Sequence, residues 1–230
     1  MSLHPPIDQA VHYPSSDGKP LADNTIQLKW IVSLYSNLRW WFRNQQVFVA
    51  ADLLWYPVQG KPAITKAPDV MVAIGRPDGD RPSYKQWEEE EVAPQVVIEV
   101  LSGSNHPLEM IDKQQWYARY GVEEFIIIDP EKQRFVPMVR KDDHLVQPDF
   151  PQGQWQSPRL GIWFKVIDGQ IKVFFPDEAP FTSLTESQIE LERSRLENET
   201  MRQQLDAERQ RAEAAEAELE RLRRQLGKND

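Results

Sequence analysis

The sequence contains no cysteine. Disulfide bonds, thiolate nucleophiles, Cys-ligated zinc and iron–sulfur clusters are therefore excluded, and the composition suits a reducing compartment. No stretch reaches the ~20 consecutive apolar residues that a membrane-spanning helix needs. Residues 1–10 also lack the basic segment followed by an apolar run that marks a secretory signal. These absences predict a soluble, cytoplasmic protein.

Positive charge is also in short supply. The chain has 27 Lys and Arg against 36 Asp and Glu, a net charge of −9. An acidic protein binds polyanions poorly unless it has a local basic surface. Two basic patches are possible, one at Arg39 and Arg43 and one formed by Lys132, Arg134, Arg140 and Lys141. The acidic run 88–91 is expected to face solvent in a loop.

Proline and aromatic residues disappear near residue 181. All 18 Pro and all 8 Trp, 6 Tyr and 9 Phe lie at or before that point. A globular core needs such aromatic residues, whereas a long helix excludes Pro. We therefore predict two parts, a globular head at residues 1–181 and a helical tail at residues 182–230.

The tail has a heptad pattern that predicts a parallel coiled-coil homodimer. Four of the five g–e pairs expected between two chains are opposite in charge, and Asn198 at one a position favours two strands. Position d is weaker and includes Glu208, which favours the alternative of a single solvated helix with ion pairs between successive turns. Position a is occupied by Leu184, Leu191, Asn198, Leu205, Ala212, Leu219 and Leu226.

The head has the pattern of an α/β fold. Asn24 is placed to cap a helix that runs to about Arg43, and a second helix is predicted over residues 108–120, ended by Gly121. Segments rich in Val, Ile and Leu and bounded by Pro or Gly predict strands. These strands are 47–56, 69–74, 95–101, 124–129, 134–139, 162–166 and 171–175. The order of elements predicts a mixed sheet flanked by helices.

Three charged residues are out of place in apolar surroundings. Glu99 lies in the most apolar strand, where it shares a face with Val97 and Leu101. Asp69 opens a neighbouring apolar strand, and an isolated carboxylate in either position is costly. Lys113 lies among aromatic and apolar residues of the second helix. Two carboxylates without His or Cys suit a hard cation such as Mg²⁺.

Structural interpretations of the same residues stay open. Asp69 follows Pro68 and can simply end a turn. Glu99 can form a structural pair with Lys113 or with an arginine, and Lys113 can be a surface lysine whose stem covers an aromatic ring. Asp52 is either a further ligand on a neighbouring strand or a residue that faces water.

The arrangement resembles the PD-(D/E)XK nuclease superfamily and, within it, the Uma-two type restriction-endonuclease family. The resemblance covers about residues 24–135. One position departs from the superfamily pattern, since Leu101 occupies the place of the lysine two residues after the acid. The matching segments are 68–70, 97–102, 112–113 with Tyr117, 121–125 and 129–130.

The resemblance implies a restriction-endonuclease-like fold and a set of functional residues. Asp69, Glu99 and the backbone carbonyl of Val100 would hold Mg²⁺ or Mn²⁺, which would polarise a phosphoryl oxygen and acidify a water. Some members of the superfamily carry the motif lysine on the following helix. By this resemblance, Lys113 would take the role of the lysine that is missing at position 101. Asp69, Glu99 and Lys113 are then the catalytic residues.

Two functions follow as alternatives. The first is a Mg²⁺-dependent endonuclease that hydrolyses phosphodiester bonds in duplex DNA, with the dimer placing two sites on opposite strands. The second is a catalytically silent, nuclease-like dimeric interaction module, which the acidic surface and Leu101 favour. No phosphate-binding glycine loop, nucleophile elbow or dinucleotide fingerprint indicates another enzyme class.

Overall fold

The computed structural model describes residues 11–183, apart from 19, 104–106 and 151–152, and parts of 186–211. Its helices in the head are α1 (Thr25–Trp41), a short 3-10 helix (Gln86–Glu88) and α2 (Pro107–Tyr120). Its strands are β1 (Val47–Ala50), β2 (Trp55–Tyr56), β3 (Val70–Ile74), β4 (Tyr84–Lys85), β5 (Val96–Val100), β6 (Glu124–Asp129), β7 (Arg134–Lys141), β8 (His144–Val146), β9 (Gln154–Gln156), β10 (Trp163–Ile167) and β11 (Gln170–Phe174).

The main sheet of the described chain has six strands in the order β1-β3-β5-β6-β7-β8. Within this sheet only β5 and β6 pair in parallel, and α2 connects them, as a parallel pair requires a long crossover. The other neighbours pair antiparallel. The predicted mixed sheet flanked by helices is therefore confirmed.

The two faces of this sheet form separate hydrophobic cores. One face packs against α1 and against a three-stranded sheet of β9, β10 and β11. The other face packs against α2 and the short strands β2 and β4. Strand alternation sends Val96 and Ile98 into the first core and Val97 into the second. Glu99 has the parity of Val97, so its side chain points toward α2.

Helix α1 begins where the sequence predicts. The Asn24 Oδ1 atom accepts hydrogen bonds from the N–H groups of Ile26, at 3.0 Å, and Gln27, at 2.9 Å. These bonds satisfy two of the donors that a helix leaves free at its start. Ile31, Leu34 and Leu38 are at most 1% exposed, so the predicted apolar face is buried in the first core.

The predicted strand 47–56 is wrong as a single element. It divides into β1 and β2, which belong to different sheets. Asp52 causes the break, because its φ of +49° lies in the left-handed region. Its N–H donates to the carbonyl oxygens of Pro68, at 3.0 Å, and Asp69, at 3.3 Å. The break therefore ties the end of β1 to the residues just before β3.

The acidic run 88–91 is not wholly solvated, which corrects the expectation from sequence. Glu89 is 8% exposed. Its carboxylate accepts from Arg76, at 3.1 Å, and from Arg81, at 2.5 Å. Burial of this carboxylate is tolerated because two guanidinium groups compensate its charge.

The chain forms two compact units, Met1–Ser183 and Leu184–Asp230. The first unit includes Thr182, whose carbonyl oxygen accepts from the Asn37 Nδ2 at 2.7 Å. In the second unit the described residues between 186 and 211 are helical, and Leu191 and Leu205 at a positions are exposed. Nowhere in the described residues is a helix long and apolar enough to cross a bilayer.

Gly121 tests the close approach of the turn after α2 to the segment that precedes β5. Its φ is +105°, and a Cβ atom there would lie 2.8 Å from the Cβ of Ala93. We expect Gly121→Ala to lower the free energy of unfolding by more than the control Gly75→Ala. Gly75 has a φ of +87° but open space around its Cβ position, so the control costs only the left-handed backbone, roughly 1–2 kcal/mol. Urea unfolding measures both, and equal losses would contradict the close approach.

Candidate active site

Glu99 lies in the middle of the sheet, where it is 2% exposed. Both of its carboxylate oxygens have a donor on α2. The Tyr117 hydroxyl donates to Oε1 at 2.5 Å, and the Lys113 ammonium donates to Oε2 at 2.8 Å. Positions four residues apart on a helix lie on one face, so α2 presents both donors together. The pair offsets the cost of burying this carboxylate.

Asp69 lies beside Glu99, at the residue just before β3. Val70 pairs with Ile98, so the antiparallel register brings Asp69 alongside Glu99 and Val100. The Val100 N–H donates to the Asp69 Oδ2 at 2.7 Å. The two carboxylates predicted from sequence are therefore brought together at one end of β3 and β5.

Burial and a neighbouring carboxylate favour the protonated form of Asp69. Burial and then the charge of Glu99 raise the pKa of Asp69 to about 8, against the opposing effects of the Val100 N–H and Lys113. Two carboxylates that share a half-buried site resist simultaneous ionisation. A cation bound between them would remove this penalty.

Lys113 is held by carboxylates on two sides. Its ammonium lies 2.8 Å from Glu99 and 3.7 Å from Glu109, one turn earlier on α2. Burial lowers the pKa of Lys113, but the charge and hydrogen bond of Glu99 outweigh it, so that the pKa is raised overall. Leu101, at the superfamily's lysine position, packs at the edge of the second core. The ammonium of this site therefore comes from α2.

The Val100 carbonyl is held by a residue that sequence reasoning missed. The Gln27 Nε2 donates to this oxygen at 2.8 Å, and the Gln27 Oε1 accepts from the Asp23 N–H at 2.8 Å. The Ser102 hydroxyl donates to the Asp23 carboxylate at 2.6 Å. A polar residue on the apolar face of α1 was the available signal, since Gln27 precedes Ile31 by one turn and is 6% exposed.

Asp52 lies near the two carboxylates without joining them. Its side chain is exposed, as the water-facing interpretation expects. Burial, followed by the charges of Asp17 and Glu99, raises the pKa of Asp52. The charge of Asp52 in turn raises the pKa of Asp69. Asp52 therefore adds to the negative potential of the site.

Lys66 is a second cation that the sequence did not single out. It forms an isolated bridge with Trp55 and precedes Asp69 by three residues. Its ammonium lies 5.8 Å from the centroid of the Trp116 ring on α2. Burial, and then the charge of Lys113, lower the pKa of Lys66. Only the three-dimensional approach of the 65–68 segment to α2 reveals it.

The donor set fits a Mg²⁺ site of two carboxylates better than one of three. No group of three or more His, Cys, Asp or Glu among the described residues is placed to hold a metal ion. Mg²⁺ is commonly bound by one or two carboxylates and keeps several waters. The neighbouring positions of Asp69 and Glu99 and the raised pKa of Asp69 suit such a cation.

The basic patches predicted from sequence are largely engaged within the fold. Arg39 pairs with Asp78 at 3.0 Å, and Arg134 pairs with Asp129 at 3.2 Å. Arg140 donates to carbonyl oxygens at the end of α2 and in the turn that follows it. These side chains stabilise the fold and offer little free positive charge to a polyanion.

Comparison with known proteins identifies the family. The sequence model of the Uma2 family, described as "Putative restriction endonuclease", matches residues 9–168. A solved crystal structure described as a "putative nuclease belonging to DUF820", from Anabaena variabilis ATCC 29413, also resembles the chain. Its TM-score is 0.44 at 15% identity, over 61% of this chain and 76% of that one. No curated protein matches significantly. Because the family match spans well over half of the chain and confirms the resemblance, the chain belongs to the Uma2 family of restriction-endonuclease-like proteins.

Proposed function

We propose that the head is a Mg²⁺-dependent endonuclease that hydrolyses phosphodiester bonds of duplex DNA. The arrangement of Glu99 carries this proposal. Its buried carboxylate is hydrogen-bonded by Lys113 and Tyr117 and lies beside Asp69, which immediately precedes β3. Family membership supports phosphodiester hydrolysis, since the family is described as "Putative restriction endonuclease".

The metal would be held by Asp69, Glu99 and the carbonyl of Val100, with Mn²⁺ as a substitute for Mg²⁺. When bound, it supplies polarisation of a phosphoryl oxygen and acidification of a water. Asp69 has to release its proton to act as a ligand, because its pKa is about 8 in the metal-free chain. Gln27 fixes the position of the Val100 carbonyl.

Lys113 has two tasks in this proposal. In the metal-free chain it compensates the charge of Glu99. With substrate present, its ammonium orients the attacking water and stabilises the charge that develops on the phosphoryl group. Tyr117 is fully buried and donates to Glu99, and burial raises its pKa well above the ordinary value. Tyr117 therefore stays a neutral donor that positions Glu99.

The tail is proposed to join two such heads. Its described residues are helical and expose Leu191, Leu205 and Met201. Apolar side chains repeated along a polar helix favour pairing with a second copy. Such a homodimer would bring two sites to opposite strands of one duplex. Within the single chain, Arg193 pairs with Glu197 of the next turn at 3.3 Å, an interaction that either a single helix or a coiled coil accommodates.

Cleavage of DNA tests the enzymatic proposal. We expect the full chain to nick supercoiled plasmid with Mg²⁺ or Mn²⁺ and not with EDTA. Glu99→Gln and Lys113→Met should lower the single-turnover rate by at least about 100-fold, because each removes a charge needed in the transition state. The exposed pair Glu131→Gln and Lys172→Met serves as the matched control.

Three outcomes of this assay are informative. Loss of activity in the site variants alone supports the assignment. Site variants that cut as fast as the controls contradict the assignment of Glu99 and Lys113. A folded parent chain that cuts under no metal condition favours a catalytically silent interaction module instead.

Metal binding should depend on pH through Asp69. The native chain holds a proton on Asp69 up to about pH 8 that the unfolded chain releases near its ordinary pKa, so the metal-free protein loses stability as the pH rises between these values. Bound Mn²⁺ reverses this loss. At a Mn²⁺ concentration of about 100 Kd, stabilisation by about 2.7 kcal/mol corresponds to a rise in Tm of roughly 5–10 °C.

Thermal unfolding with and without Mn²⁺ checks this expectation. The shift in Tm should be larger at about pH 8.5 than at about pH 6.5, since affinity falls roughly tenfold per pH unit below the pKa of the ligand. Asp69→Asn should abolish the shift, while the exposed control Asp80→Asn keeps it. A pH-independent shift, or one retained in Asp69→Asn, would rule out Asp69 as a ligand.

The oligomeric state tests the role of the tail. We expect the full chain to be a dimer in sedimentation equilibrium and a chain ending at Ser183 to be a monomer. This end point keeps Thr182, which pairs with Asn37 in the head. Leu191→Glu combined with Leu205→Glu should also give monomers, because charge at a positions opposes pairing. A truncated chain that stays dimeric would show that the tail is not the interface.

A further inference from the structure

Lys66 lies in the segment that leads to Asp69, and its side chain approaches α2. Its backbone bridges to Trp55, with the Trp55 N–H donating to the Lys66 carbonyl at 2.8 Å. Trp55 packs edge-on against Trp116 of α2, with ring centroids 4.9 Å apart. The ammonium of Lys66 lies over the Trp116 ring at 5.8 Å. The side chain is half-buried, and the charges of Lys113 and Glu99 act on its ammonium.

The charge of Lys66 is not neutralised within the described chain. The described lysines with ion pairs are Lys85, Lys113, Lys132 and Lys165. Lys66 instead lies near the like charge of Lys113 and within the weaker influence of Glu99, Asp112 and Glu109. Lys113 has carboxylates of Glu99 and Glu109 within 4 Å, whereas none of the described ion pairs includes Lys66, so Lys66 has the capacity to bind an added anion.

We infer that Lys66 binds a phosphate group of the DNA substrate at this site, an inference that rests on the proposed nuclease function. A lysine ammonium is a compact point charge well suited to phosphate oxygens. Lys113 is already shared between Glu99 and Glu109, so the two lysines divide the work. Lys113 pairs with the carboxylates and acts at the reacting phosphoryl group, whereas Lys66 binds a phosphate of the DNA backbone.

The rest of the surface strengthens this assignment. The head is acidic, and Arg39, Arg134 and Arg140 are engaged within the fold. These three arginines therefore offer little free positive charge to a polyanion. A cation without an ion-pair partner beside the two carboxylates is where a phosphate would be drawn to the reacting groups.

Salt-dependent DNA binding tests the inference separately from cleavage. The affinity of the full-length protein for a fluorescein-labelled duplex is measured by anisotropy in EDTA across a series of NaCl concentrations. Lys66→Met keeps the aliphatic stem over Trp116 and removes the charge. We expect weaker binding by roughly threefold to tenfold, and a slope of log K against log salt smaller by about 0.9, the value for one lost phosphate contact.

Two further variants separate a phosphate contact from a structural role. Lys66→Arg should retain the slope, because it keeps the charge. Lys61→Met removes an exposed lysine of the same loop and should leave affinity and slope unchanged. Lys66→Met should unfold at the same temperature as the parent or higher, since it removes the repulsion with Lys113. If Lys66 merely supported the loop, a loss of affinity and salt slope in Lys66→Met would not occur together with an unchanged unfolding temperature.

The outcomes distinguish this inference from the proposed function. If Lys66→Met binds duplex with the same affinity and salt slope as Lys61→Met, the proposed role of Lys66 is wrong. The proposed role is also wrong if the parent chain binds no duplex. If the parent binds DNA and Lys66→Met loses one phosphate contact while no metal supports cleavage, the contact stands and the nuclease activity fails. If the parent cleaves and Lys66→Met binds and cleaves normally, the nuclease stands and the contact fails.

Discussion

The buried carboxylate of Glu99 is the constraint on which the site depends. An ionised carboxylate in the middle of an apolar strand is tolerated only with strong donors, and here Tyr117 and Lys113 supply one for each oxygen. Both donors come from α2, which has to lie across that face of the sheet for the bonds to form. The position of α2, the face of β5 on which Glu99 lies and the charge of Lys113 therefore all depend on the burial of the Glu99 carboxylate.

A second carboxylate makes this arrangement more than a structural ion pair. Asp69 lies alongside Glu99, and burial and the charge of Glu99 raise its pKa to about 8. Ionisation of both carboxylates would leave a negative charge in excess of the one that Lys113 compensates. A structural pair alone would not need the second acid. The excess is useful to a protein that recruits a divalent cation, because the free energy lost in the metal-free state is recovered on binding. Family membership and local electrostatics thus favour the same chemistry.

The sequence predicted the site where chemistry and local periodicity were enough. Glu99 was recognisable because strand parity left a carboxylate on an apolar face, and Lys113 because helix spacing placed it among aromatic residues. Lys66 could not be recognised from sequence, since its approach to α2 depends on how the loop that contains it folds. Asp52 broke a predicted strand through its backbone conformation, which residue propensity does not specify. Glu89 was expected to be solvated because its two arginine partners are distant in sequence and become neighbours only in the fold.

Calorimetric titration of Mn²⁺ into the full chain tests the central claim most directly, because it measures the cation site independently of any substrate. It is best done above about pH 8, where Asp69 is ionised in the metal-free protein. The account predicts saturable binding to the parent chain that is lost in Glu99→Gln, with the fold of the variant intact by circular dichroism. Equal binding in both proteins, or no binding in the parent, would contradict it.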